Sequence, residues 1–168
     1  MKKVQIGPFD VMRETLAALS THGALLMPSA EPVNAMTIGW GQIGHVWAMP
    51  VFTVYVRPTR FTHELLEKSR YFSVNLPPEV MSDVTMMMGS RSGRDVDKIA
   101  EAGLTVQLGR LLDVPTILEC PIHYECRIVH KSPVEPAMLA DDLVGSLYRD
   151  AQYHTVYWGE IVGVFKRA

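Results

Sequence analysis

Val51-Phe52-Thr53-Val54-Tyr55-Val56-Arg57-Pro58-Thr59-Arg60-Phe61-Thr62 is the stretch that decides the fold. Phe52, Val54 and Val56 alternate with Thr53, Tyr55 and Arg57, so one face is apolar and the other polar, the period of a half-buried β-strand. Pro58 has no N–H to give a ladder and biases the residue before it, so the strand stops there. After it the period changes. Phe61, Leu65 and Leu66 form an apolar stripe over 59–69, which predicts a helix with Thr59 as its N-cap. Alternation then returns over 71–76, with Phe72, Val74 and Leu76 facing inward.

The same punctuation extends in both directions. Phe9, Met12, Leu16 and Leu19 sit at helical spacing, predicting a helix over 9–19 capped by Asp10 and ending near Gly23. A buried strand over 23–27 stops at Pro28, and an extended, Gly-containing stretch covers 33–42. Beyond the central strand, helices are predicted over 79–88, 96–102 and 138–148. Strands are predicted over 104–111, 116–118, 121–130 and 153–165, with Gly159 and Gly163 as bends or bulges in the last. Six or more strands with helices inserted irregularly do not make a parallel doubly wound sheet. They predict a mainly β fold: one domain over 1–168, an antiparallel β-barrel with peripheral helices.

Composition narrows the class. The chain has 168 residues, a hydrophobic fraction of 48% and a formal charge of -2, which excludes wholesale disorder and gives no electrostatic case for nucleic acid. No apolar run approaches the roughly 20 residues that span a bilayer. Residues 1–8 lack the pattern of a signal peptide, so the expected compartment is the cytoplasm, with no membrane partner. Cys120 and Cys126 are expected on one strand, too far apart to bridge, as two buried free thiols.

Several chemistries lack their motifs. No Gly-x-Gly-x-x-Gly opens a helix after a strand. Gly89-Ser90-Arg91-Ser92-Gly93-Arg94 lacks the Gly-Lys-Ser/Thr ending of a phosphate loop. The six histidines are scattered without metal-ligand spacing, and no serine elbow supports a hydrolase triad.

Two basic clusters remain. Arg57, Thr59, Arg60 and Thr62 surround a predicted helix start, where free N–H groups and the helix dipole attract a phosphate. Ser90, Arg91, Ser92, Gly93 and Arg94, followed by Lys98, repeat those residue types in a loop. Either cluster alone also reads as a solvated cap or a charged surface loop. Two of them in a near-neutral chain point to a phosphorylated small molecule. A third feature is Val33-Asn34-Ala35-Met36-Thr37-Ile38-Gly39-Trp40-Gly41, whose small residues let a planar ligand approach the backbone. Composition alone fits a packed strand with a core tryptophan equally well.

These segments carry a resemblance. Asn34-Ala35-Met36-Thr37-Ile38-Gly39-Trp40, Val56-Arg57-Pro58-Thr59-Arg60-Phe61-Thr62 and Phe72-Ser73-Val74-Asn75-Leu76-Pro77 resemble the flavin reductase-like, FMN-binding split-barrel family, and flavoredoxin-like proteins within it. So do Ser92-Gly93-Arg94-Asp95-Val96-Asp97-Lys98, Ala102-Gly103-Leu104-Thr105, Leu118-Glu119-Cys120 and Tyr124-Glu125-Cys126, in the same order along the chain.

The resemblance implies a six-stranded antiparallel Greek-key split barrel, a homodimer, and FMN near the subunit interface. It implies that Asn34, Ala35, Met36, Thr37 and Ile38 line the flavin ring, with Trp40 beside the ring or its ribityl chain. Thr59, Arg60 and Thr62 would meet the phosphate, with Arg57 a further cofactor-binding residue of the same cluster, Lys98 would meet the phosphate or a ring carbonyl, and His154 would lie near the flavin. The implied activity passes electrons from NADH or NADPH to FMN and on to an acceptor, a redox protein or a monooxygenase. Its alternative is a non-enzymatic FMN electron carrier. No residue is marked as a catalytic acid or base, and no metal is expected. The stretch 134–152 is longer than the family pattern before His154, and the chain ends soon after Phe165.

Overall fold

The computed structural model describes residues 2–168. The chain opens with β1 (Lys3–Ile6), α1 (Met12–Ser20), β2 (Ala24–Pro28), β3 (Met36–Ile38), β4 (Gly41–Val46) and β5 (Met49–Val56). Then come α2 (Phe61–Lys68), β6 (Tyr71–Leu76), a short 3-10 turn Glu79–Met81, α3 (Ser82–Ser90) and α4 (Lys98–Glu101). The last third holds β7 (Val106–Leu108), β8 (Pro115–Ile117), β9 (Ile122–Pro133), a 3-10 turn Pro136–Met138, α5 (Asp141–Leu147) and β10 (Thr155–Arg167).

Eight strands form one antiparallel sheet in the order β3-β2-β6-β9-β10-β5-β4, with β1 on β10. β10 holds the sheet together because it is long enough to serve three partners. It pairs with β9 along nearly its whole length, with β5 through residues 155–160, and with β1 through residues 164–167. β7 and β8 make a separate two-stranded ladder. The mainly β, antiparallel class with peripheral helices is the one expected. The count of six strands is exceeded because β1, β4 and the short β7–β8 pair add to it.

The core explains the strand pattern. Phe52, Val54 and Val56 of β5, Phe72 and Val74 of β6, and Tyr124 and Cys126 of β9 point into one cluster, all at most 1% exposed. Each large side chain buried there contributes roughly 2 kcal/mol of transfer free energy. The β9–β10 register shifts at Trp158/Gly159 and Ile161/Gly163, where bulges were expected. At Gly159 a Cβ would stand 2.8 Å from the Cys126 Cβ on β9 and 2.5 Å from the Phe72 ring, so glycine is what lets β9 and β10 approach there.

Three local expectations are corrected. Asp10 does not cap α1. Its carboxylate accepts the Gly7 N–H at 2.8 Å and closes the preceding turn, and the cap position falls to Val11. Thr59 does not cap α2, which begins two residues later with Arg60 at the cap position and no side-chain cap bond. The cysteines do not share a strand: β9 starts only at Ile122, so Cys120 joins the second apolar cluster while Cys126 lies in the first. Both thiols are free and buried, and burial pushes Cys120 up to about 12 and Cys126 well above its ordinary value, so neither is a ready nucleophile.

Candidate functional site

The two basic clusters meet. The start of α2 and the loop between α3 and α4 enclose a cavity of about 100 Å³, lined on one side by Thr59, Arg60, Phe61 and Thr62. The loop supplies Arg91, Ser92, Gly93 and Arg94, and Asn34, Met36 and Lys98 complete the wall. The sequence puts them there in two ways. Pro58 ends β5 and turns the chain so that α2 starts at the rim. Asp97 then caps α4 through Ala100 N–H at 3.1 Å, which sets Lys98 on the first turn facing back.

No carboxylate lines this cavity, and its cations differ in how they are engaged. Arg94 is paired with Glu64 and Arg91 with Glu101 at the surface. Among the described residues Arg60 has only the Gly89 carbonyl at 3.4 Å, and Lys98 only the Met88 carbonyl at 2.9 Å. Lys98 is 4% exposed, and burial, helped by Arg60, lowers its pKa to about 8. A buried ammonium without a counter-ion favours any anion that reaches it. The N–H groups of the first turn of α2 lack a side-chain cap and are open to the same anion. Asn34 donates to Thr62 Oγ1 at 2.9 Å, bracing the floor. A Cβ at Gly93 would lie 2.1 Å from Asn34 Oδ1, so glycine is what lets the loop close over this floor.

A groove of about 190 Å³ adjoins the cavity and shares Met36 and Arg60 with it. Thr37, Ile38, Gly39 and Trp40 form one wall, and Tyr55, Arg57 and His154 the other. Tyr55 and Arg57 reach it because the alternation of β5 puts both on the face opposite the core. Trp40 is 42% exposed, so it is not a core tryptophan, and its ring centroid lies 4.8 Å from that of His154. Arg57 bonds Asp150 at 2.5 Å and the Leu147 carbonyl at 3.2 Å. His154 stays neutral: burial, with Arg57 adding to it, pushes its pKa down to about 4.

The expected residues therefore divide. Asn34, Met36, Thr59, Arg60, Thr62 and Lys98 surround the cavity, and Met36, Thr37, Ile38, Trp40, Arg57, Arg60 and His154 surround the groove. Arg57 is not at the cavity where it was expected, because Asp150 and the Leu147 carbonyl hold it at the groove, 6.0 Å from the centre of the Tyr148 ring. Ala35 lines neither space; it is fully buried against Leu25, Met27 and Met88. Tyr55 and Phe61 were not singled out, although the strand alternation and helix start that place them were both legible. Tyr148, 2.9 Å from His154 Nδ1, gave no signal, since only the folding of 134–152 brings it there.

A mainly β antiparallel barrel in which a cation-lined cavity adjoins an aromatic groove defines the class of protein. The chain belongs to the flavin reductase-like domain family, whose model matches residues 18–168. It is 31% identical over 119 residues to an uncharacterized protein of Archaeoglobus fulgidus, covering 70% of this chain and 65% of that relative's length. Among solved structures it is similar to flavoredoxin from Methanosarcina acetivorans, at 26% identity and TM-score 0.69, over 86% of this chain and 68% of that one. It is also similar to an FMN-binding protein from Thermus thermophilus with bound 1-cyclohex-2-enone, at 28% identity and TM-score 0.65, over 86% and 69% of the two chains. No helix among the described residues is long and apolar enough to cross a membrane.

Proposed function

We propose that the protein binds FMN, with the phosphate in the cavity at the start of α2 and the ring in the groove beside Trp40 and His154, and that it is an oxidoreductase passing electrons from NADH or NADPH through FMN to an acceptor. One observation carries this reading. Two basic clusters far apart in sequence converge on one cavity, and that cavity shares Arg60 and Met36 with an aromatic groove. A ligand with a phosphate at one end and a planar ring at the other matches both spaces.

The residues present fit FMN. Arg60, Lys98, the Thr62 hydroxyl and the open first turn of α2 supply donors for a phosphate, and Gly93 keeps the cradle clear. Trp40 supplies an aromatic wall, while Thr37 to Gly39 offers backbone for the polar edge of the ring. Bound FMN would supply the redox chemistry; the chain supplies binding, orientation and electrostatics. Arg57 and Arg60 would favour a ring that gains negative charge on reduction, and the neutral His154 offers hydrogen bonding without a further charge.

The similarity to flavoredoxin favours a second reading, a carrier that keeps its flavin and exchanges electrons with another protein. In either reading we take the protein as a cytoplasmic homodimer, a compartment in which its two free thiols stay reduced. Light scattering of the FMN-loaded protein at micromolar concentration should report a dimer.

Titration with FMN and with riboflavin tests the site. Arg60→Ala should weaken FMN roughly tenfold or more and riboflavin little, because a charge-assisted bond to phosphate is lost from one ligand only. Equal losses would remove the phosphate assignment. Anaerobic NADH or NADPH should bleach the flavin absorption with turnover in an enzyme, and slowly or not at all in a carrier.

A further inference from the structure

The segment 134–152 contributes little to the core. α5 buries none of its own residues. Polar contacts hold the segment instead, and they converge on the groove. Asp150 and the Leu147 carbonyl engage Arg57, and Val134 N–H bonds the His154 carbonyl at 2.8 Å. The residue this arrangement buries is Tyr148, 6% exposed and stacked on Tyr153 at 4.8 Å. Its phenol oxygen lies 2.9 Å from His154 Nδ1.

The direction of that bond follows from the two groups. A phenol O–H is a far better donor than a neutral imidazole N–H, and a phenol oxygen, its lone pair shared with the ring, is a poor acceptor beside an imidazole nitrogen. Among the described residues the Tyr148 hydroxyl has no other acceptor, so donation to Nδ1 is what satisfies it. Nδ1 then carries the lone pair and Nε2 the hydrogen. His154 lines the groove, and its Nε2 has no partner among the described residues while not being shut off from the surface.

We infer that Tyr148 is a positioning residue: it holds His154 as the Nε2–H tautomer and so gives the groove a neutral hydrogen-bond donor for an oxygen or nitrogen acceptor on the bound planar ligand. The charged groups facing His154 agree with this. Arg57 is occupied by Asp150, Arg60 faces the cavity as well as the groove, and the Tyr55 hydroxyl accepts from Gln42 while keeping its own hydrogen, so the imidazole stands beside Tyr55 as a neutral donor on that wall. The tautomer stands independently of the ligand; only the identity of the acceptor rests on the groove being the FMN ring site.

Long-range proton–nitrogen correlation spectra of nitrogen-15-labelled, ligand-free protein test the tautomer, with His154→Gln identifying the signal. The expected result is a protonated Nε2 and a bare Nδ1, replaced in Tyr148→Phe by a mixture of both tautomers. A protonated Nδ1 in the unmodified protein, or an unchanged tautomer in Tyr148→Phe, overturns the inference. FMN titration then closes a cycle. Tyr148→Phe should weaken FMN roughly threefold to tenfold, the worth of one hydrogen bond, and cost nothing further in a His154→Phe background. The same loss in both backgrounds would mean that Tyr148 only packs the segment, which also overturns it. A protein with the expected tautomer that binds no FMN would instead sink the proposed function.

Discussion

Lys98 links the site to pH. Burial of its ammonium, with Arg60 beside it and among the described residues only the Met88 carbonyl as partner, holds its pKa near 8 rather than at its ordinary value of 10.5. Between about pH 8 and 10.5 the unfolded chain therefore holds the proton that the ligand-free native state gives up. The cost of burying this charge is fully present below about pH 8 and is relieved as pH rises. Lys98→Met should raise the melting temperature of the ligand-free protein at pH 7 and weaken FMN at the same pH. In the unmodified protein a bound phosphate would restore the proton, so FMN affinity should fall as pH climbs above 8, and Lys98→Met should flatten that fall. A flat profile in the unmodified protein would place the ammonium away from the phosphate. Gly93 makes a steric counterpart: a Cβ there meets Asn34 Oδ1 at 2.1 Å, so Gly93→Ala should displace Asn34 or the loop. Isothermal titration should show at least a tenfold loss of FMN affinity with little change in riboflavin.

At the scale of elements, legibility followed locality. β5 and β6 could be read from the chain because each alternates against a core it meets on one face, and Gly159 and Gly163 marked bulges because a Cβ would meet Phe72 and Cys126 at the first and Leu111 and Phe165 at the second. The two basic clusters were legible as anion-seeking groups, but that they face one another depends on how α2 and the loop before α4 pack. What could not be read were effects of pairing and competition. β1 exists because β10 offers it a free edge, and Asp10 and Thr59 lost their cap roles to a turn and to a later helix start. Ala35 shows the same limit. Its small size suggested close approach to a ligand, whereas β2, α3 and α4 bury it in the second cluster. Ala35→Leu should overpack that cluster and cost about 1–3 kcal/mol. Melting curves should show the loss in the ligand-free protein, with the rise caused by saturating FMN largely kept. A rise abolished while ligand-free stability is unchanged would return Ala35 to the binding site.

Across the whole molecule, a buried polar network ties the first strand to β8, β9 and the loop after β7. Glu125 on β9 is fully buried and accepts the N–H groups of Arg110, Leu111 and Leu112 at 2.6 to 2.8 Å and His123 Nε2 at 3.2 Å. Lys3 on β1 reaches His123 Nδ1 at 3.1 Å and the Ile117 carbonyl at 3.3 Å. β1, β8, β9 and the loop after β7 thus depend on one carboxylate. Burial alone would raise the pKa of Glu125, but the bonds from His123 and the three amides outweigh it and leave the carboxyl below its ordinary value. Its contribution is therefore present above the unfolded value of about 4.5 and is lost as pH falls through the lower native one. His123 acts in the same direction: burial holds it neutral, so below about 6.5 the unfolded chain takes up a proton that the native state refuses. Stability should fall in two overlapping steps on acidification, the first beginning near pH 6.5 and the second below 4.5. Glu125→Gln keeps the shape and removes the charge, so it should cost about 2 kcal/mol at neutral pH and shrink the lower step. Urea denaturation from about pH 3 to 8 would show this as a midpoint that changes less with acid below 4.5 in the variant. An acid limb of undiminished steepness in Glu125→Gln would mean that other carboxylates, and not this network, set the acid limit of the fold.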